Sequence, residues 1–249
     1  FFLIIQTHSH MANIKVLMVL TGADTWTMKS GTRHPTGFWA EEFIKPHKAF
    51  LAEDYEVHIA TPRGRPPTVD PLSLSLGYND NNQQSVDDQK AYIAAQDAIK
   101  KPLVLGDINP ANYSAVFTVG GHGPMQDLAV DPDIGNIIAA MLGANKVYAT
   151  VCHGPASLLS VFDKDGNWLF KGKKLTGFSN EEENQATFAG DAPWLLEDRL
   201  RLAGANYVKL APWTPHVVVD GNLVTGQQQV SSQVTAEAVI KRLKELGVK

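Results

Sequence analysis

One strand-to-turn segment, Tyr148–Pro155, constrains the fold of this chain most. A run with strand character ends at Cys152, the only cysteine in 249 residues. Gly154 and Pro155 then break the strand before a helix-like segment, 156–160. A side chain on so sharp a turn stands clear of the sheet, and the positive end of the following helix favours thiolate over thiol. The pattern predicts a nucleophile elbow, and the alternative is a buried structural cysteine.

A second strand of buried type, 115–119, also runs straight into a turn, and this turn is rich in glycine. Gly120, Gly121 and Gly123 allow the backbone to approach a ligand and to point consecutive N–H groups at one spot. Beside a cysteine nucleophile such a turn would be an oxyanion hole. The alternative is a tight turn that needs glycine only for its dihedrals. The spacing matches neither the dinucleotide fingerprint nor a P-loop.

A predicted helix over residues 39–53 carries two adjacent carboxylates in its early turns. Phe43 and Phe50 share one face of this helix at a spacing of seven. We interpret Glu41 as a solvated carboxylate that the helix dipole favours. Glu42 can instead turn inward, and a carboxyl beside a thiol can carry or accept a proton.

Strand and helix signals alternate along the chain, which predicts an α/β protein of the flavodoxin-like type. Its sheet would be mostly parallel, with helices on both faces, and its site would lie at the carboxyl ends of the strands. Strands are expected at 14–20, 56–60, 115–119, 146–151, 206–208, 216–219 and 223–225, and helices at 39–53, 85–101, 132–142 and 233–246.

Several short motifs together resemble the DJ-1/PfpI superfamily, and within it the Hsp31-like branch with cofactor-independent glyoxalase III members. They follow the order of that family from about residue 13 to the end. The motifs are Thr36–Pro46, Val69–Pro71 with Ser73, Val119–Pro124 with Asp127 and Leu128, Val151–Pro155, Leu175–Phe178 with Glu181, and Asp220–Gly226 with Ser231 and Ser232.

The resemblance implies a role for each matching residue. Cys152 matches the nucleophile of the family, and His153 matches the histidine of the Hsp31-like triad. Glu42, five residues after Gly37 and four before Pro46, matches the buried glutamate beside the thiol.

The third member of the triad and the oxyanion hole also follow from the resemblance. Glu181 matches the acidic member in a Gly-Phe-x-x-Glu pattern, although Glu182 and Glu183 adjoin it and leave the register open. The backbone N–H groups of Gly121 and His122 match the oxyanion hole, so His122 is expected to act only through its backbone.

The implied activity is the cysteine-dependent conversion of methylglyoxal or a related α-oxoaldehyde into a hydroxy acid, without glutathione, cofactor or metal. Two alternatives stay open: a cysteine hydrolase or amidase of the same superfamily, and a redox-sensing stress chaperone. The expected partners are a small aldehyde and a second copy of the chain, in a cytoplasmic homodimer.

Composition limits the other classes of partner. The chain is 44% hydrophobic and 19% charged, which suits one sizeable core. Its 22 basic and 26 acidic side chains give a net charge of −4, so we expect neither nucleic acid nor membrane as a partner. Residues 1–10 are predicted to be a cloning remnant or an extension, and residues 11–249 a single domain.

Overall fold

The computed structural model describes residues 14–248. The prediction for residues 1–10 lies outside this range, and the assignment of residues 11–249 to one domain stays a prediction.

A seven-stranded sheet forms the centre of the described structure, in the order β10-β11-β7-β6-β1-β4-β5. All neighbours in it are parallel except the hairpin β10–β11. Two further pairs of short strands, β2–β3 and β8–β9, lie outside this sheet. The strands are β1 Lys15–Val19, β2 Thr25–Thr27, β3 Arg33–Pro35, β4 Glu56–Thr61, β5 Leu103–Val104, β6 Ala115–Thr118, β7 Val147–Val151, β8 Lys174–Leu175, β9 Asn206–Tyr207, β10 Val217–Asp220 and β11 Leu223–Gly226.

Helices cover the sheet. Helices α1 and α8 pack against each other, α8 also contacts β7 and β11, and α5 contacts β6 and β7. All residues of β6 and β7 are buried, as expected for parallel strands that are covered on both faces. The helices are α1 Ala40–Ala52, α2 Gln83–Ala94, α3 Asp97–Lys100, α4 Gly123–Gln126, α5 Pro132–Gly143, α6 Asn180–Gln185, α7 Leu196–Ala203 and α8 Ser232–Glu245. The predicted flavodoxin-like α/β fold is therefore confirmed.

Two local predictions are wrong. The helix expected over 85–101 begins earlier, because the side chain of Asn82 accepts the backbone N–H of Ser85 and caps α2. It also breaks after Ala94, and α3 is a separate short helix. The segment after Cys152 is a 3₁₀ turn over Gly154–Ser160.

Among residues 14–248, no helix is both long and apolar enough to cross a bilayer.

Candidate active site

Cys152 occupies a strained turn directly after β7. Its φ is +60°, a left-handed conformation that is uncommon for a residue with a side chain. The backbone is held there, because its N–H donates to the Gly226 carbonyl at 3.1 Å and its carbonyl accepts from Phe178 N–H at 2.8 Å. Such strain persists only where the surroundings impose it, and it is common at functional sites. The predicted nucleophile elbow is present, with the thiol almost fully buried.

The glycine turn after β6 packs directly against Cys152 and Glu42. A Cβ at Gly120 would lie 2.5 Å from Glu42 Oε2 and 2.9 Å from Cys152 Cβ, so no side chain fits there. Gly121 has φ +92° and packs on the Gly37 carbonyl. The nearby backbone N–H groups of Gly121 and His153 act to lower the pKa of the Cys152 thiol, although burial outweighs them. Glycine is thus required at position 120 because neighbouring atoms leave no room for a side chain, and at position 121 because φ is positive.

Glu42, in the first turn of α1, is completely buried beside the thiol. Its Oε2 accepts the N–H of Gly120 at 2.9 Å. Within the described chain, Oε1 has no other oxygen or nitrogen partner. Burial, with no cation in contact, raises the pKa of Glu42 well above its ordinary value. The carboxyl is therefore held in its protonated form and can act as a donor.

Glu41 points away from this site. It forms an ion pair with Lys45 one helical turn further on, as expected for a solvated i,i+4 pair. Of the two adjacent carboxylates, only Glu42 contacts the thiol.

His153 connects the thiol to a buried carboxylate. Its Nδ1 lies 3.3 Å from Cys152 Sγ and its Nε2 lies 2.6 Å from Glu183 Oε2. The carboxylate predicted for this position was that of Glu181, which is exposed in the structure. Because α6 begins at Asn180, residue 183 faces the core and residue 181 faces solvent. The geometry thus replaces Glu181 by Glu183 as the acidic partner of His153.

Glu182 is also buried, and its role is structural. Its side chain accepts the backbone N–H of Ser179, and the side chain of Ser179 accepts the backbone N–H of Glu182. These two hydrogen bonds form a capping box at the start of α6. This cap fixes the rotation of α6 and thereby turns Glu183 toward His153.

His122 takes part through its ring, which the sequence did not predict. Its Nε2 lies 2.8 Å from Glu183 Oε1, so the two oxygens of one carboxylate bridge two imidazoles. The ring stacks on Trp26 with a centroid distance of 4.6 Å and an interplanar angle of 14°. His122 Nδ1 is buried without a hydrogen-bonding partner in the described structure.

The charges of this network follow from its partners. Although burial alone would raise it, the two histidines hold the pKa of Glu183 below its ordinary value. An ionised carboxylate only accepts, so Nε2 of His153 carries the hydrogen and Nδ1 offers its lone pair to the thiol. Burial, followed by the nearby His122, lowers the pKa of His153 and keeps this ring neutral. His153 is thereby set up as a general base.

The thiol itself differs from the prediction. Burial, together with the neighbouring Glu42, raises the pKa of Cys152 well above its ordinary value. The helix whose dipole was expected to favour thiolate is only a 3₁₀ turn. The resting sulfur is therefore a thiol, and His153 must remove its proton when the nucleophile is needed.

A narrow cavity of about 20 Å³ lies over the thiol. Its walls include Tyr78, Phe188 and Trp213. Tyr78 lies in the connection between β4 and α2 and was not among the predicted site residues. A void of this size holds about one water molecule. The site therefore suits a very small reactant.

The described residues contain one cluster that could hold a metal ion. Ligating atoms of His122, His153 and Glu183 lie within 4.8 Å of one another. Both Nε2 atoms already bond the carboxylate, so an ion would have to replace the two contacts that orient His153. The expected absence of a metal and of a cofactor stays a prediction.

The fold and site define a class: an α/β enzyme with a cysteine at a nucleophile elbow, a histidine beside it and a buried carboxylate behind the histidine. Residues 34–242 match the DJ-1/PfpI family, and the chain belongs to that family.

Individual relatives narrow the comparison to its Hsp31-like branch. The chain is 29% identical over 240 residues to the glutathione-independent glyoxalase HSP31 of Saccharomyces cerevisiae, covering 94% of this chain and 100% of that protein. The crystal structure of glyoxalase III from Candida albicans superposes with a TM-score of 0.77 at 27% identity, covering 92% and 97% of the two chains. A protein/nucleic acid deglycase, HchA of Pseudomonas aeruginosa, is 26% identical over 244 residues, which are 93% of this chain and 81% of that protein.

Proposed function

We propose that this protein converts methylglyoxal, or a related α-oxoaldehyde, into a hydroxy acid without glutathione or cofactor. The observation that carries the proposal is the arrangement of Cys152 between a neutral base, His153, and a protonated carboxyl, Glu42. The names of the HSP31 and glyoxalase III relatives support the same reaction.

In the first half-reaction, His153 Nδ1 takes the thiol proton and the sulfur attacks the aldehyde carbon. Glu42 donates its proton to the carbonyl oxygen, which gives a neutral hemithioacetal. The backbone N–H of Gly121 is placed to bind the oxygen as charge develops on it. Glu42 is now a carboxylate in an apolar environment, which makes it a strong base.

In the second half-reaction, Glu42 removes the proton from the former aldehyde carbon, and protonated His153 delivers its proton to the neighbouring ketone oxygen. The resulting enediol is protonated by Glu42 at the second carbon, while His153 recovers a proton from the first hydroxyl. The product is a thioester of the hydroxy acid. Water, deprotonated by Glu42, then hydrolyses it, and the sulfur leaves with the proton of His153.

The size of the cavity favours an aldehyde of very few atoms over a bulky adduct. The cavity volume of about 20 Å³ is too small even for a triose-sized compound, so the aromatic walls must move to admit one. Glutathione adducts and glycated side chains are much larger than this space.

The test is turnover of methylglyoxal by purified protein with no glutathione present, followed by aldehyde loss and lactate formation. Cys152→Ala should abolish lactate formation. Glu41→Gln, a change at the adjacent carboxylate that pairs with Lys45 away from the thiol, should leave it unchanged. A fully active Cys152→Ala enzyme would refute the proposal.

A hydrolase is the second candidate, and the similarity to the deglycase favours it. It would use the same thiol to attack an acyl-like carbon, with water as the second reactant. Lactate formed from methylglyoxal supports the first proposal, whereas release of an amine or acid from a small amide with no aldehyde turnover supports this one. Burial and the raised pKa of the Cys152 thiol disfavour a redox sensor, since thiolate and exposure drive oxidation.

We also propose that the protein acts in the cytoplasm as a homodimer, with a small aldehyde as its partner and neither nucleic acid nor membrane. A single free thiol is compatible with a reducing compartment, and the net charge of −4 gives no general attraction to polyanions. Cell fractionation and sedimentation equilibrium test the two parts separately.

A further inference from the structure

A second cleft lies at the same edge of the sheet as the thiol. It has a volume of about 470 Å³ and is lined by the segments that follow β1, β4 and α4, together with the β2–β3 pair. Strand β1 is flanked by β4 on one side and β6 on the other, so the strand order reverses there. In open α/β sheets, ligands bind in the crevice outside the carboxyl ends of the strands at such a point.

Three arginines line this cleft: Arg33 on β3, and Arg63 and Arg65 after β4. All three are exposed. Within residues 14–248, none of their guanidinium groups has a carboxylate within 4.0 Å, although nine ion pairs between other lysines or arginines and carboxylates are present. Arg33 makes one long contact, 3.4 Å from Nη2 to the Thr25 hydroxyl. Each guanidinium therefore keeps most of its five N–H donors for a ligand.

The carboxylates of the cleft are already engaged with the chain itself. Asp127 accepts from the Thr21 hydroxyl at 2.8 Å and from the backbone N–H of Gly22 at 2.8 Å, and it also binds two further backbone N–H groups. Asp131 caps α5. Asp24 bonds the neighbouring Thr25 hydroxyl. These acids shape the loops, and none of their oxygens lies within 4.0 Å of a guanidinium nitrogen of the three arginines.

The loop that carries two of the arginines is held in an unusual conformation. Arg63 has φ +59° between Pro62 and Gly64, although it carries a long side chain. The Thr61 hydroxyl donates to the Arg65 carbonyl at 2.7 Å and closes the turn. A non-glycine residue fixed in this region is characteristic of ligand sites more than of simple connections.

Strand β2 separates the cleft from the catalytic cavity. Thr25 and Thr27 line the cleft, whereas Trp26 between them points the other way and stacks on His122. Alternate side chains of a strand face opposite sides. A ligand in the cleft therefore leaves the thiol uncovered.

We propose that this cleft binds a small molecule that carries a phosphate group, with Arg33, Arg63 and Arg65 as its ligands. Planar guanidinium groups pair with phosphate oxygens in a bidentate manner, and a tetrahedral phosphate offers enough oxygens for more than one arginine. The volume falls in the range of small-molecule sites and leaves room for an organic part beyond the phosphate.

The test is calorimetric titration with inorganic pyrophosphate, at low ionic strength and against a chloride titration of matched ionic strength. We expect one saturable site per chain. Cys152→Ala protein should bind equally well, so the result does not depend on turnover or on the proposed activity. Each single change, Arg33→Ala, Arg63→Ala or Arg65→Ala, should weaken binding roughly tenfold, the usual loss for a charge-assisted hydrogen bond.

Arg199→Ala is the matched control, because Arg199 is an exposed arginine on α7, outside the cleft and without an ion pair in the described structure. It should keep the wild-type affinity. Circular dichroism shows whether each variant is folded. The proposal is overturned if pyrophosphate shows no saturable binding, if the three single variants bind like wild type, or if Arg199→Ala loses as much affinity as they do.

Discussion

Two buried glutamates contact the Cys152–His153 pair, Glu42 at the thiol and Glu183 at the imidazole, and their surroundings give them different protonation states. Glu42, on α1, has one backbone N–H and a thiol as neighbours, so burial raises its pKa. Glu183, on α6, receives two imidazoles, and these lower its pKa despite equal burial. Burial is similar at both positions, and the two imidazole hydrogen bonds to Glu183, which Glu42 lacks, decide the outcome.

The difference shows how one residue type supplies two functions within one cavity. A protonated carboxyl can give a proton to the substrate, and an ionised one can hold a histidine in the tautomer that acts as a base. The following four substitutions and titrations test this division, from the largest expected effect to the smallest.

Replacement of Glu42 should have the largest effect. Glu42→Gln keeps the size and a donor but cannot exchange a proton, so kcat should fall ~10²–10⁴-fold, the usual contribution of a general acid or base. The rate at which iodoacetamide alkylates Cys152 should change much less in this variant. Glu42→Leu should lower both kcat and the alkylation rate. Glu41→Gln is the control. Were it the damaging change and Glu42→Gln the harmless one, the division of roles on α1 would be wrong.

Replacement of Glu183 should come next. Glu183→Gln replaces one of the two acceptor oxygens by an NH₂ donor and removes the charge, so the tautomer of His153 is no longer fixed and kcat should fall roughly 10²-fold or more, as for other triad acids. The control is Glu181→Gln, on the exposed side of α6, which should have wild-type kinetics. Equal damage by both variants, or damage by Glu181→Gln alone, would contradict the geometry.

Replacement of His122 should have a smaller effect with a distinctive pH signature. His122→Phe keeps a ring on Trp26 but removes the second donor to Glu183, and we expect a loss of about tenfold in kcat, typical for a partner that orients a catalytic group. Because His122 helps to lower the pKa of His153, its removal should raise that pKa. The acid limb of the kcat–pH profile should then move to higher pH. An unchanged limb would show that His122 only packs.

The smallest expected effect is on the pH dependence of the free energy of unfolding, which should differ between the two glutamates. The folded pKa of Glu42 lies above 4.5, so folding binds a proton and wild type loses stability as the pH rises above that value. The folded pKa of Glu183 lies below 4.5, so its contribution is present above that value and is lost as the pH falls.

Urea unfolding between pH 2 and 8 measures these slopes. Relative to wild type, Glu42→Gln should flatten the loss above pH 4.5, and Glu183→Gln should lower stability above pH 4.5 and flatten the loss below it. Slopes that change in the same direction in both variants would contradict the assigned protonation states.

Much of the fold follows from local patterns. Buried-type runs ending in glycine turns predict strands β6 and β7, and the Gly221-Asn222 turn predicts the β10–β11 hairpin; all are present. The start of α2 was placed too late because Asn82, three residues before Ser85, caps the helix. Element ends depend on which of several nearby polar side chains caps the chain.

The sequence by itself determined the position of the nucleophile, because only Cys152 joins a strand to a glycine turn, and it determined the choice of Glu42 through the motif around it. The tertiary structure decided which of three adjacent glutamates meets His153. Each residue along a helix rotates the side chain by about 100°, so a shift of two positions moves a carboxylate to the opposite face.

The tertiary structure also decided the protonation states and the role of the His122 ring. Both depend on groups that are distant in sequence: Glu42 and Gly120 are 78 residues apart, and His122 and Glu183 are 61 apart. Charge in a buried site is set by the sum of desolvation and contacts, and these exist only once the strands and helices have packed.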